Sequence, residues 1–202
     1  MLAGFTLDDG PAAVLKAEAA LRARRTSSLA FEGPADEAPA ISKEFEYTPR
    51  HRLVLAGRGA IFRSMAQIGR ATGYDVFALS PELSDLDAVR HVLNAEPVHL
   101  MSPNSSMPLD MLDAHSAFLT LFHDHDWEPA LLRAALDTPA RFIGSLGSRR
   151  THEMRKETLR QMKVPEASIS RLRGPIGLVP SLRDASSIAV SALAEIIAEF
   201  RN

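Results

Sequence analysis

From Arg52 onward the sequence alternates between short apolar runs and longer stretches of helical periodicity, and this alternation restricts the fold more than any other feature. Parallel strands need a crossover of a dozen or more residues, and a helix is the usual crossover. The pattern therefore predicts an α/β fold in which a parallel sheet carries helices on both faces. Strands are expected at residues 52–56, 75–79, 98–101, 117–122 and 140–143, and helices at residues 61–72, 83–94, 128–136, 148–163 and 184–200.

The residues before Arg52 follow a different pattern. Residues 10–25 predict one helix, with Pro11 in its first turn and arginines at its end. Residues 33–39 are rich in proline, glycine and acidic side chains and predict a flexible linker, and residues 43–48 predict a short strand. We therefore expect a short N-terminal helical extension and linker over residues 1–48 and one α/β domain over residues 49–202.

Composition excludes several classes of function. The 202 residues include no cysteine, which excludes disulfides, thiolate metal sites and a sulfur-carrying nucleophile on this chain. A net charge of −2 argues against a general nucleic-acid-binding protein. The first residues lack a signal-peptide pattern and no apolar run reaches membrane-spanning length, so we expect a soluble cytoplasmic protein.

A glycine-punctuated turn joins a predicted strand to a charged helix at Gly144, Gly147 and Ser148, followed at once by Arg149 and Arg150. Glycines let backbone amides approach a ligand, and a helix N-terminus offers free donors and the positive end of a dipole. Two arginines in a first turn, where the dipole favours acids, are explained if an anion such as phosphate binds there. Basic residues outnumber acidic ones by nine to three between residues 141 and 173, although a solvated helix face would show the same excess.

A second glycine turn, Gly57-Arg58-Gly59, lies between the first predicted strand and its helix, as in Rossmann-like dinucleotide-binding folds. The third glycine of the usual fingerprint is replaced by Phe62, and Ser80 stands where an acid would hold a ribose. Ser80 and Arg58 could instead accommodate the 2′-phosphate of NADP. The alternative is a turn that the fold requires and that binds no nucleotide.

His123 and Asp124 follow a predicted strand directly and belong to the same sheet edge. No third metal ligand is evident, so no metal site is predicted. We expect His123 to face a ligand and Asp124 to orient it or cap the next helix. His125 is expected in solvent and His152 on a helix surface beside Arg149.

These segments together resemble the C-terminal Rossmann domain of the XdhC/CoxI family, accessory factors for molybdenum hydroxylases such as xanthine dehydrogenase. The resemblance rests on residues 142–152, 173–178 and 184–197 and on the His-Asp-His run at residue 123, and it extends over about residues 52–200. It implies a chaperone that binds molybdenum cofactor and assists its sulfuration and its insertion into a hydroxylase, a carrier rather than an enzyme. The family usually has a separate N-terminal domain, and with about fifty residues before Arg52 we expect that domain to be reduced or missing.

The resemblance and the turns together define the expected cofactor-binding residues: Gly57, Arg58, Gly59, Ser80, His123, Asp124, Gly144, Gly147, Ser148, Arg149 and Arg150. No catalytic residue is expected. The expected partners are a molybdenum hydroxylase apoenzyme and, because this chain has no cysteine, a cysteine desulfurase as the source of sulfur. Residues 188–200 form an amphipathic stripe that could pair two copies in a homodimer or pack in the core.

Two other functions stay open on the same residues. One is an NADP-dependent oxidoreductase that uses the first glycine turn, although neither tyrosine is followed by a lysine suited to hydride transfer. The other is a scaffolding relative that keeps the fold and binds no ligand.

Overall fold

The computed structural model describes residues 6–7, 10–33, 42–103, 109–124 and 126–201. The chain divides into two units, Met1–Pro49 and Arg50–Asn202. In the described part of the chain, no helix is both long enough and apolar enough to cross a membrane.

The first unit is a helix with a small antiparallel sheet. Its elements are β1 (Thr6–Leu7), α1 (Gly10–Arg22), β2 (Ser27–Glu32) and β3 (Ser42–Tyr47), and the sheet order is β1-β2-β3. The edge-to-face contact of Phe31 and Phe45, with ring centroids 5.6 Å apart, joins β2 to β3. The predicted strand at residues 43–48 is confirmed as β3, whereas β1 and β2 were not predicted. The predicted linker lies outside the described residues from residue 34 onward.

The second unit is an alternating α/β unit. Its strands are β4 (Arg52–Gly57), β5 (Asp75–Ser80), β6 (Val98–His99), β7 (Ser116–Leu121), β8 (Phe142–Ser145) and β9 (Leu172–Arg173). Its helices are α2 (Gly59–Ala71), α3 (Leu83–Val89) with a 3₁₀ turn at Arg90–Val92, α4 (Glu128–Leu136), α5 (Arg149–Gln161), α6 (Glu166–Ile169) and α7 (Ala185–Arg201). The predicted strands and long helices are present with small shifts at their ends, and β9 and α6 are additions.

All neighbouring strands of this sheet are parallel, in the order β6-β5-β4-β7-β8-β9. This is the doubly wound Rossmann order, so the predicted fold class is confirmed. The chain reverses direction across the sheet between β4 and β7. Ligands of doubly wound folds bind at such a reversal, outside the carboxyl ends of the strands.

Two apolar layers cover the sheet. Leu53 and Leu55 face a layer built with α2, α3 and α7, while Val54 and Ala56 face a layer built with α4, α5 and α6. All four side chains are fully buried, as expected for a parallel strand covered on both faces. Ala189, Leu193 and Ile196 of the predicted amphipathic stripe are buried in the first layer, so much of the stripe is used within the chain.

Candidate functional site

The first glycine turn connects β4 to α2 at the carboxyl edge of the sheet. A Cβ at Gly57 would lie 2.6 Å from Leu121 Cβ and 2.7 Å from Leu121 O, so glycine is required here for the close approach of β4 and β7. Gly59 has a φ of +83°, and its N–H donates to Asp85 Oδ2 at 2.6 Å. Gly57 is therefore needed for packing, and the Gly59 amide is bonded to a side chain of the protein itself.

Asp85 belongs to α3 and is only 4% exposed. It also forms an ion pair with Arg63 of α2. A carboxylate thus occupies the positive end of α2, where this fold places a ligand phosphate. Phe62, at the position of the missing third glycine, is fully buried in the apolar layer beside it.

Arg58 and Ser80 are also engaged within the protein. Arg58 donates from Nη2 to Asp124 Oδ2 at 2.6 Å and from Nη1 to Glu82 Oε1 at 3.3 Å. The second carboxylate oxygen of Asp124 is buried and finds no partner among the described residues. Ser80 is fully buried, and its hydroxyl accepts the N–H of Glu82. The structure therefore places Ser80 away from any surface that a ligand could reach, and it gives the Arg58 charge two acidic neighbours.

The second glycine turn connects β8 to α5 and is open. Gly147 is exposed and has a φ of +136°, a conformation that favours glycine. Ser148 is the N-cap residue, and its hydroxyl accepts the N–H of Thr151 at 3.1 Å. Arg149 and Arg150 are exposed, and no described residue pairs with their guanidinium groups or accepts their backbone N–H groups. Within the described part of the chain, the α5 terminus thus presents free donors and two unpaired positive charges.

A cleft of about 810 Å³ opens at this terminus. One wall is the polar turn of Gly147, Ser148, Arg149 and Thr151, and the opposite wall is the segment at residues 175–182. Leu178 and Val179 of that segment are more than half exposed. The remaining lining residues are Ile61, Phe122, His123, Leu146, Ile188 and Ser191.

Hydrogen bonds to α7 hold the apolar wall in place. Gly177 N–H donates to Glu195 Oε2 at 2.5 Å, and Val179 N–H donates to Ser191 Oγ at 2.7 Å. The glycine- and proline-containing loop after Arg173 therefore lies along the same cleft as the second glycine turn.

Gly144 is one predicted site residue that the structure keeps out of the cleft. It is buried in β8, and a Cβ there would lie 2.6 Å from Ile176 Cγ2 and 2.7 Å from Phe142 Cε1. Its role in the structure is to let the loop carrying Ile176 pack on the strand. Of the predicted residues, the cleft contains His123, Gly147, Ser148 and Arg149, with Arg150 next to them on the first turn of α5.

A buried ion pair contacts the second glycine turn at Leu146. Arg155 of α5 donates from Nε and Nη2 to the two carboxylate oxygens of Glu128, each at 2.9 Å. Nη2 also donates to Leu146 O at 2.9 Å, immediately before Gly147. The Thr120 hydroxyl donates to Glu128 Oε1 at 3.0 Å. Sequence reasoning missed this network because its charged members are 27 residues apart, and its only local sign is an acid in the first turn of α4.

His152 is a further correction. It was expected on the surface of α5, but it is 5% exposed and its ring packs so closely against Gly174 that no Cβ would fit there. Burial, followed by the nearby charges of Lys156 and Arg155, lowers the pKa of His152 to about 4. The imidazole is therefore neutral at pH 7. His125 lies outside the described residues.

Comparison with known proteins identifies relatives of the second unit. A family model described as the XdhC Rossmann domain matches residues 53–196. The molybdenum cofactor insertion chaperone PaoD of Escherichia coli (strain K12) is 29% identical over 153 residues, which cover 76% of this chain and 41% of PaoD. The uncharacterised protein YqeB of the same organism is 29% identical over 156 residues, which cover 73% of this chain and 27% of YqeB. The chain thus spans less than half the length of these relatives.

A solved structure shares the fold. A crystal structure described as a xanthine dehydrogenase from Bacillus halodurans superposes with a TM-score of 0.68 at 17% identity. The superposition covers 92% of this chain and 63% of that one. At this identity the likeness establishes a common fold and nothing further.

Proposed function

The chain belongs to the XdhC family, and from this membership we propose that it is an accessory protein that binds molybdenum cofactor and assists its insertion into a molybdenum hydroxylase. The observation that carries the proposal is the open α5 terminus, where Arg149 and Arg150 have no described partner beside a cleft of about 810 Å³. The name of the relative PaoD supports the same assignment.

The residues of the cleft suit a pterin that carries a phosphate. The free amides of α5 and the Arg149 guanidinium match a phosphate, because charged donors at a helix terminus are strong anion ligands. Leu178 and Val179 on the opposite wall offer apolar surface to a flat ring, and His123 contributes a polar group to the lining. The volume lies within the range of about 300–1,000 Å³ found for small-molecule sites.

The role proposed for these residues is binding and shielding rather than bond making. The cofactor supplies the redox chemistry once it resides in the hydroxylase. With no cysteine anywhere in the chain, sulfuration of the cofactor would require a donor protein, and we propose a cysteine desulfurase. The hydroxylase apoenzyme is the proposed recipient.

A co-elution experiment tests the proposal. Purified protein is incubated with molybdenum cofactor and, in parallel, with NADP(H), and the ligand that elutes with the protein from gel filtration is measured. We expect the pterin to be retained. The Arg149→Ala/Arg150→Ala double variant should lose at least about a hundredfold in affinity, the factor for two charge-assisted hydrogen bonds of about 1.5 kcal/mol each. Its thermal unfolding should be nearly unchanged, because neither guanidinium has a described partner.

The matched control replaces two exposed arginines outside the cleft, Arg133 and Arg201, with alanine. This variant has the same change in net charge and should retain the pterin. Retention of the pterin by the Arg149/Arg150 double variant would refute the assignment of the site. Retention of NADP(H) alone by the wild-type protein would favour the oxidoreductase, and retention of neither ligand would favour the scaffolding protein.

A further inference from the structure

The first glycine turn has the form of a phosphate site, but an acid of the chain itself already occupies it. We propose that Asp85 closes this turn to the pyrophosphate of a dinucleotide. Asp85 is thereby a specificity-determining residue. The inference concerns the first turn alone, so it does not depend on what the cleft at α5 binds.

The geometry at Gly59 leaves no donor for a ligand. The Gly59 amide donates to Asp85 Oδ2 at 2.6 Å, a distance typical of a strong charge-assisted hydrogen bond. A phosphate oxygen at the same amide would have to displace a carboxylate that is 4% exposed. The displaced carboxylate would lose that hydrogen bond while remaining close to a second anion, and both effects oppose binding.

Acidic side chains around the first glycine turn also oppose the binding of an anion. Arg58, at the N-cap position of α2, makes no side-chain cap, and the cap comes instead from Asp85, which lies 26 residues after Gly59. Glu82 and Asp124 both bind Arg58. Asp85, Glu82 and Asp124 therefore lie around the first glycine turn. Arg58 and Arg63 are already paired with these three acids. The first turn of α5 contains no acid.

Removing Asp85 should convert the turn into an anion site. In an Asp85→Ala variant the Gly59 amide is free, the α2 dipole is uncompensated, and Arg63 loses its partner and becomes a further ligand for an anion. We expect inorganic pyrophosphate to bind this turn at least about tenfold more tightly in the variant than in the wild-type protein, the factor for one charge-assisted hydrogen bond.

The test follows the Gly59 amide resonance by NMR during titration with inorganic pyrophosphate. In the wild-type protein this resonance should not respond, and in Asp85→Ala it should shift and saturate. Asp87→Ala is the matched control, because Asp87 lies on the same helix with an exposed side chain and should behave as wild type. Asp85→Leu keeps nearly the same side-chain shape without a charge or a hydrogen-bond acceptor, and it serves if Asp85→Ala does not fold.

Two results would overturn the inference. One is a saturable shift of Gly59 in the wild-type protein, which needs no variant to observe. The other is a folded Asp85→Ala or Asp85→Leu protein whose Gly59 amide does not respond to pyrophosphate. A missing response at the α5 amides would count against the proposed cofactor site at α5 but not against this inference.

Discussion

The ion pair between Arg155 and Glu128 offers the sharpest test of the energetics. The two side chains are 4% and 1% exposed, and the guanidinium makes hydrogen bonds of 2.9 Å to both carboxylate oxygens and to Leu146 O. Replacement of Arg155 by methionine keeps an unbranched apolar stem and removes all three hydrogen bonds. It leaves a carboxylate buried without its counter-charge, which is the costly way to break such a pair.

The expected cost is large. Two charge-assisted hydrogen bonds of about 1.5–3 kcal/mol each amount to roughly 3–6 kcal/mol, in line with the loss of about 3–5 kcal/mol when one partner of a buried pair is removed. For a unit of this size, 1 kcal/mol corresponds to about 2–4 °C, so Arg155→Met should lower the unfolding midpoint by roughly 10 °C.

Replacing both partners with apolar residues should restore most of this stability. The third guanidinium nitrogen, Nη1 of Arg155, is buried with no partner in the described part of the chain, so the pair carries a desolvation cost that it does not fully offset. A Glu128→Leu/Arg155→Met variant should therefore unfold within about 2 kcal/mol of wild type. The difference between the single and double variants measures the coupling of the pair.

Fluorescence of Trp127, the only tryptophan, reports unfolding of the second unit on heating and in urea. Trp127 precedes Glu128 and stacks on Phe122 with ring centroids 6.3 Å apart. The matched control is Arg160→Met on the same helix, because Arg160 makes the same bidentate contact with Glu166 but in solvent. Water screens that pair, so the control should unfold close to wild type. Equal thermal unfolding midpoints for Arg155→Met and Arg160→Met would refute the reasoning.

Two further predictions concern packing and pH. Gly144→Ala should destabilise by about 1–3 kcal/mol because its Cβ would lie 2.6 Å from Ile176, and a thermal midpoint equal to wild type would contradict this role. His152 has a pKa of about 4 in the folded protein and about 6.5 in the unfolded chain, so the unfolded chain binds the extra proton between these values. The neutral His152 side chain makes its full contribution to the free energy of unfolding above pH 6.5. This contribution falls by roughly 3 kcal/mol as the pH is lowered to 4. In urea unfolding, the difference in free energy of unfolding between wild type and His152→Gln should shrink as the pH falls from 6.5 to 4. A difference that stays constant over this range would contradict the prediction.

Most of the Rossmann unit could be predicted because its periodicity is local. Strands β4, β5, β7 and β8 are apolar runs long enough to be recognised, and α2, α4, α5 and α7 carry helical spacing. Strand β9 and helix α6 were missed because two and four residues are too few for a period to repeat. Leu172–Arg173 is a strand only because it pairs with β8, and that pairing depends on residues distant in the sequence.

Local sequence patterns could not predict the burial of His152 or the packing roles of Gly57 and Gly144. A glycine in a turn pattern has the same letter whether it contacts a ligand or makes room for a neighbour. Gly57 faces Leu121 and Gly144 faces Ile176, and neither neighbour is close in the sequence. Only the packed strands and loops show that both glycines are needed for close approach.

Sequence patterns were sufficient to predict the order of strands and helices along the chain and the position of both glycine turns at the carboxyl edge of the sheet, because these depend on local periodicity and on the direction of parallel strands. Which of the two glycine turns is open depends on tertiary contacts. Asp85 reaches the Gly59 amide from 26 residues away, while Arg155 and Glu128, 27 residues apart, support the turn that precedes α5. Whether a backbone donor is free depends on the side chains that distant elements bring to it, and local sequence carries no record of that proximity.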